Sequence, residues 1–368
     1  MMKVGLVVNP IAGIGGRVGL KGSDGELSRK AAELGGTSVA AQRTVEALRG
    51  LMKAKIDFVM LTYPHEMGEN EALESGIKPT VLGHIIPGQT TADDTKRAAA
   101  DMIERHVDLL LFSGGDGTAR DLMEILDARV PVLGIPAGVK MHSGIFAINP
   151  QLAGRIVISF LKEQMSTKEI EVVDYDSDGN LKLFGYMRVP FDESAIQGTK
   201  GYVPAGEGDE EAIAAGVIEE LSDDYAYIIG PGMTAKSVMR SLDLPYTLLG
   251  VDVVKSKRLL IRDANEKQLL DLAGRYGLKM VVGVIGGQGF LLGRGNLQIS
   301  PEVIRRIGKQ NLIVVATEEK LLSLKGRPLL VDTGDRELDQ YLTGYIKVIT
   351  GYRRTAVCRV SQSRELTH

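Results

Sequence analysis

The chain has 368 residues, 44% of them hydrophobic and 25% charged, with a formal net charge of −3 at pH 7. That length allows two domains with cores of their own, and the composition is that of a globular protein rather than a disordered or fibrous one. The weak negative balance gives no electrostatic reason for nucleic acid or an anionic membrane as partner, and the single cysteine, Cys358, excludes an internal disulfide and fits a reducing, cytoplasmic compartment.

Residues 1–8 have too little apolar length for a signal peptide, and no run approaches membrane-spanning length. Residues 4–8 read as a buried strand, followed by Asn9-Pro10-Ile11-Ala12-Gly13-Ile14-Gly15-Gly16-Arg17-Val18-Gly19. Val18 stands where Gly-x-Gly-x-x-Gly needs its third glycine, and no Gly-x-x-x-x-Gly-Lys-Ser/Thr occurs, so two common nucleotide signatures are absent. Helices are predicted over 26–34 and 39–52, a strand over 56–62, a short helix near 67–75 and a strand over 80–86. Thr90, Thr91 and Asp93 follow, with Thr91 or Asp93 as N-cap of a helix over 95–105. A strand at 108–112 runs into Ser113-Gly114-Gly115-Asp116-Gly117-Thr118, after which helical spacing begins. The next strand, 130–135, ends in Pro136-Ala137-Gly138-Val139-Lys140-Met141-His142-Ser143, and a helix covers 152–162. Alternation of this kind implies a parallel sheet covered on both faces. Ligands bind beyond the carboxyl ends of such strands, and the loops after residues 8, 86, 112 and 135 would share that edge.

The pattern changes after Met165. Residues 168–175 and 181–189 read as a β-hairpin about Asp178-Gly179-Asn180, and 201–208 as a glycine-rich linker. The acidic run 209–211 reads as a solvated helix start rather than a metal site. A second alternating series follows, with strands at 225–229, 247–251, 279–284 and 312–316 and helices through 242, over 266–276 and from Pro301 to near 308. Glycine-rich turns occupy 230–232, 286–289 and 293–296, two last strands fall at 346–350 and 356–360, and 361–368 reads as a frayed tail. The expected architecture is therefore α/β: an N-terminal parallel-sheet domain over 1–165, then a hairpin and a second α/β domain over 166–368.

The segment from Gly114 to Thr118 carries the sharpest chemistry. Glycines let backbone approach a ligand, and the free N–H groups of a helix start attract phosphate. Asp116 beside a phosphate is electrostatically unfavourable unless it has a task, such as accepting a proton from an attacking hydroxyl or helping to hold Mg²⁺. The plainer reading makes Asp116 or Thr118 the cap of a strand-to-helix turn.

Asn9-Pro10-x-x-Gly13, Thr90/Thr91, Gly114-Gly115-Asp116-Gly117-Thr118 and Pro136-Ala137-Gly138 occur in that order. The succession resembles the superfamily uniting NAD kinases with diacylglycerol and sphingosine kinases. Within it the chain looks most like ATP-NAD kinase-like proteins of the AcoX group, on residues 138–143, 293–296 and 332–335. The resemblance implies Mg²⁺-dependent transfer of phosphate from ATP or polyphosphate to a hydroxyl, in NAD kinases the 2′-hydroxyl of NAD. By matching position Asp116 would be the general base. Gly114, Gly115, Gly117 and Thr118 would hold phosphates, Asn9 and Gly13 would border the nucleotide, and Thr90 or Thr91 would cap toward phosphate. Gly138 closes the last of the ordered motifs. The Gly-x-Leu-Gly-Phe and Thr-Gly-Ser-Thr-Ala-Tyr segments of ordinary NAD kinases are missing, which leaves the acceptor less defined than the chemistry.

Lys140 could neutralise transferring phosphate or be a solvated loop lysine, and His142 could contact a nucleotide or be incidental. The histidines show no ligand spacing, and no protein metal site is expected. Residues 230–234 could bind an anion or simply turn the chain. In the loop 286–296, Gln288, Arg294 and Asn296 offer polar groups for an acceptor, with the alternative that Arg294 only pairs with Glu302. The rival functions are a kinase for another polyol, sugar or lipid hydroxyl, and a nucleotide-binding regulator without catalysis. A homo-oligomer is left open.

Overall fold

The computed structural model describes residues 1–20, 26–126, 130–138, 141–163, 165–175, 181–191, 196, 209–293 and 295–367. Lys140, Arg294, the hairpin turn at 178–180 and the linker at 201–208 lie outside these residues.

The chain opens with β1 (Met2–Val8), α1 (Glu26–Glu33), α2 (Ala40–Lys53), β2 (Phe58–Thr62), α3 (Glu69–Glu74), β3 (Thr80–Val81), α4 (Ala92–Glu104), β4 (Leu109–Gly114), α5 (Asp116–Leu126), β5 (Val132–Pro136) and α6 (Pro150–Leu161). The five strands form one parallel sheet in the order β3-β2-β1-β4-β5. Every residue of β4 is buried, as a continuous apolar run in a sheet covered by helices requires. From β1 the chain steps outward to β2 and β3, and then returns to place β4 on the other side of β1. This reversal opens a crevice at the carboxyl ends of β1 and β4, the usual ligand position in open α/β sheets. It is where residues 9–19 and 114–118 emerge.

A separate hairpin pairs β6 (Thr167–Tyr175) with β7 (Leu181–Pro190). Its buried side chains Val172, Met187 and Val189 join the core of the first sheet. The boundary expected at 165/166 groups the hairpin with the second half, whereas its packing is with the first.

The remainder comprises α7 (Asp209–Glu219), β8 (Tyr225–Ile229), α8 (Met233–Ser241), β9 (Asp252–Lys255), β10 (Arg258–Ile261), α9 (Glu266–Ala273), β11 (Gly277–Gly283), β12 (Phe290–Leu292), α10 (Pro301–Ile307), β13 (Leu312–Val315), α11 (Glu318–Ser323), β14 (Leu329–Val331), α12 (Arg336–Leu342), β15 (Gly344–Gly351) and β16 (Arg354–Gln362). Nine of these strands make one mixed sheet, β10-β9-β8-β11-β13-β15-β16-β14-β12, in which β8, β11, β13 and β15 run parallel. The mixed α/β architecture is the expected one.

Three expected elements differ. The strand expected over 80–86 is only Thr80–Val81, because Gly83, with φ +58°, turns the chain off the sheet edge. Residues 247–250 are a turn instead of a strand, because the N–H groups of Thr247 and Asp263 both reach the buried carboxylate of Asp252 (2.9 and 3.0 Å) and bend the chain around it. The tail is not frayed: β16 continues to Gln362 and a 3₁₀ turn covers Ser363–Thr367. Asn149 anchors that turn by donating from Nδ2 to the Ser363 carbonyl at 2.7 Å, while its Oδ1 caps α6 through Leu152 N–H.

Candidate active site

At the end of β4 the chain turns through glycines because neighbouring backbone leaves no room for side chains. A Cβ on Gly138 would lie 2.7 Å from the Gly115 Cα, and one on Gly13, whose φ is +79°, would lie 2.5 Å from the Ala137 carbonyl oxygen. The N–H groups of Ala137 and Gly138 both donate to the Gly114 carbonyl, at 3.0 and 2.9 Å. Asn9 Nδ2 donates to Thr118 Oγ1 at 2.9 Å. Asn9, Gly13, Gly114, Gly115, Thr118 and Gly138 are thus in one place, and Gly117 lies in the first turn of α5 beside them.

Thr91 is at the start of α4, with its N–H and hydroxyl both donating to Asp94 Oδ2 (2.7 and 3.0 Å). Its neighbour Thr90 is on the same loop, which follows the edge strand β3.

Asp116 is 5% exposed, and its carboxylate does not cap its own helix. Oδ2 accepts the His142 N–H at 2.5 Å and Oδ1 accepts the Ser143 N–H at 3.0 Å. Burial pushes its pKa up to about 6 against the hydrogen bonds from Ser143 and His142, and the negative charge of Asp174 adds to the rise. The His142 ring meets the edge of Tyr175 at 5.2 Å. Burial, and then the nearby Asp116 and Asp174 charges, hold the Tyr175 phenol above its ordinary range.

Beside the residues that hold Asp116 is a cleft of about 330 Å³ between the two halves. The first half lines it with Gly13, Gly138 and Met141, the second with Gly293, Asp332 and Thr333. Arg43 Nη1 bridges the halves to Asp332 Oδ2 at 3.2 Å. Gly293, with φ +89°, abuts the same loop so closely that a Cβ there would lie 1.8 Å from the Asp332 carbonyl oxygen. Asn296 is fully buried, and its amide fastens this loop by donating to the Leu291 carbonyl (2.8 Å) and accepting from Gly293 N–H (3.1 Å). Asn296 and the half-buried Gln288 are not among the residues lining the cleft.

The turn at 230–232 leads into α8, where Lys236 Nζ donates to Asp252 Oδ2 at 2.5 Å and to the Ile229 carbonyl at 2.9 Å. That buried pair fixes the turn. Among the described residues no group of three or more His, Cys, Asp or Glu is placed to hold a metal ion. Sequence reasoning gave Ser143 no role, although it ends the 136–143 segment after β5, and it missed Asp174, which β6 brings near Asp116 and which no local signal marks.

Comparison with solved structures finds a candidate diacylglycerol kinase from Bacillus anthracis str. Sterne, 18% identical over 47% of this chain and 42% of that one, with a TM-score of 0.26. A second structure so described, from the same organism, is 19% identical over 49% and 46%, also at 0.26. A UDP-N-acetylglucosamine 2-epimerase is 12% identical over 93% and 71%, at 0.23. The chain spans less than half the length of the two kinase structures. No curated protein matches it. The family models are decisive: the ATP-NAD kinase N-terminal domain matches residues 4–165 and the ATP-NAD kinase C-terminal domain matches residues 222–360. With both domain models matched in order over most of its length, the chain belongs to the ATP-NAD kinase family.

Proposed function

We propose that this kinase transfers the γ-phosphoryl group of ATP, or a phosphoryl group of polyphosphate, to the 2′-hydroxyl of NAD, with Asp116 as the general base. The observation that carries the reading is the buried Asp116 carboxylate at the start of α5, beside glycine turns packed so closely that no side chain fits between them. As the acceptor oxygen attacks phosphorus, its proton passes to Asp116, the bond from phosphorus to the leaving oxygen breaks, and ADP or shortened polyphosphate departs. A carboxylate with a pKa of about 6 is better matched to this proton than an ordinary aspartate and remains ionised at neutral pH.

The donor phosphates lie against Gly114, Gly115, Gly117 and Thr118, with Asn9, Gly13 and Gly138 bordering them; Thr90 or Thr91 would cap toward phosphate, and Lys140 would neutralise transferring charge. Residues 1–165, with the β6–β7 hairpin packed on them, form the donor domain, and the half after the hairpin supplies acceptor recognition across the cleft. Met141 lines that cleft and the next two residues hold Asp116, so one loop joins acceptor space to base. Mg²⁺ would arrive bound to the donor phosphates. Such Mg²⁺ supplies neutralisation of phosphate charge. No helix among the described residues is long and apolar enough to cross a membrane. A cytoplasmic enzyme accords with the single cysteine.

The test is transfer from radiolabelled Mg·ATP, and from polyphosphate, to a panel of NAD, nucleosides, sugars, polyols and diacylglycerol. Label in NADP is the expected result. Label in another acceptor with none in NADP would overturn the acceptor assignment, and no label in any would overturn the whole reading.

A further inference from the structure

The β6–β7 hairpin belongs to neither sheet, yet three consecutive residues at the end of β6 meet the surroundings of Asp116. Val173 is joined twice to Ser143: its N–H donates to Ser143 Oγ at 3.0 Å, and that hydroxyl donates back to the Val173 carbonyl at 2.9 Å. Asp174 is held at 3.2 Å by Arg120, one turn along α5 from Asp116. Tyr175 packs against His142, whose N–H binds Asp116. Gly144 N–H extends the alignment to the Glu171 carbonyl at 3.3 Å.

We infer that the hairpin is a working part of the phosphoryl-transfer site, with Ser143 and Asp174 as positioning residues that aim and electrostatically bias the Asp116 carboxylate. The inference rests on Asp116 being the base. Geometry supplies the aiming. Ser143 is fully buried, its hydroxyl is pinned to β6, and its N–H therefore points at Oδ1 of Asp116 from a fixed backbone. A hydroxyl has one proton, so the Val173 carbonyl and Asp116 compete for that of Ser143. Charge supplies the bias. Among the described residues, the charged or titratable groups around Asp116 are Arg120 on its own helix, Asp174 and Tyr175 on β6, and His142 on the loop. Asp174 opposes ionisation of Asp116, and the Ser143 donors favour it. Arg120 tempers Asp174 by pairing with it.

The experiment reads the Asp116 carboxyl directly, by ¹³C NMR titration of protein labelled at aspartate, with the resonance assigned by its loss in Asp116→Asn. Asp174→Asn is expected to lower the Asp116 pKa by about 0.5 of a pH unit or more, and Ser143→Ala, which keeps the backbone N–H, to raise it. The acid limb of the kcat/KM profile should move in the same two directions. Asp174→Glu, which keeps the charge, should restore the wild-type titration. Both substitutions leaving the titration unmoved, or moving it in one common direction, would overturn the inference even if activity fell. Because the NMR readout needs no turnover, an enzyme that ignores NAD would sink the proposed acceptor while leaving this test in force.

Discussion

Arg43 and Asp332 lie 289 residues apart in sequence, yet their side chains meet at 3.2 Å, only 13% and 8% exposed. The pair ties α2 to the loop after β14 at the wall of the cleft. Charges so little hydrated are costly to separate. Arg43→Met is therefore expected to destabilise the protein by about 2 kcal/mol or more in urea denaturation. Arg43→Met/Asp332→Leu should recover much of that loss. Additive losses in the double variant would show that the pair is not coupled.

Asp116→Asn should lower kcat by about 10²–10⁴-fold, the range for loss of a general base. Residual turnover within a few-fold of wild type would remove the role given to Asp116. The amide can accept only one of the two N–H groups that now reach the carboxylate, so the variant's loop should be checked by its thermal transition alongside.

Stability should carry the same carboxyl's signature. A native pKa of about 6 exceeds the ordinary value of 3.8, so between those pH values the folded state binds a proton that the unfolded state lacks. This contribution is fully present below the unfolded pKa and is lost as pH rises through about 6. The Tm of wild type relative to Asp116→Asn should accordingly rise as pH falls from 7 toward 4. A flat difference would mean that Asp116 titrates normally.

The contact between the two glycine turns gives a graded prediction. A Cβ at 138 would approach the Gly115 Cα to 2.7 Å, whereas one at 115 would leave 3.1 Å to the Gly138 Cα. Gly138→Ala should thus weaken Mg·ATP binding more than Gly115→Ala does, by about tenfold, or about 1.4 kcal/mol, in calorimetric titration. Equal and unchanged affinities would show that the turns do not hold the donor.

Lys236 and Asp252 are 1% and 0% exposed and 2.5 Å apart. Lys236→Met would leave the Asp252 carboxylate with only the Thr247 and Asp263 N–H groups. A loss of about 3 kcal/mol in denaturant is expected, with kinase KM values for both substrates unaltered. A change in either KM would instead connect the 230–234 turn to substrate.

Much of the first sheet could be read from sequence because its strands are apolar runs that stop at glycine. Parallel strands then bring the loops after residues 8, 114 and 136 together whatever the helices between them do. The second half was harder. β10, β12 and β14 have only three or four residues each, too few for periodicity to speak. The turn at 247–250 depends on a carboxylate further along the chain, and the ordered tail depends on Asn149, 214 residues before its partner. Asp174 shares that character: it has no local motif, and its place follows from where the hairpin docks.

The cores also do not respect the division suggested by sequence. Phe290 and Leu330, from strands of the nine-stranded sheet, are buried in the core of the five-stranded one. The Asn149 side chain joins the start of α6 to the turn after β16. A dissected fragment of residues 1–165 would expose the apolar surface that receives those two side chains, and would lack the carbonyl that fills one of Asn149's hydrogen bonds. The halves are therefore poor candidates for exchange as independent modules. A shuffled enzyme with a foreign acceptor half would have to import the plug as well as the pocket.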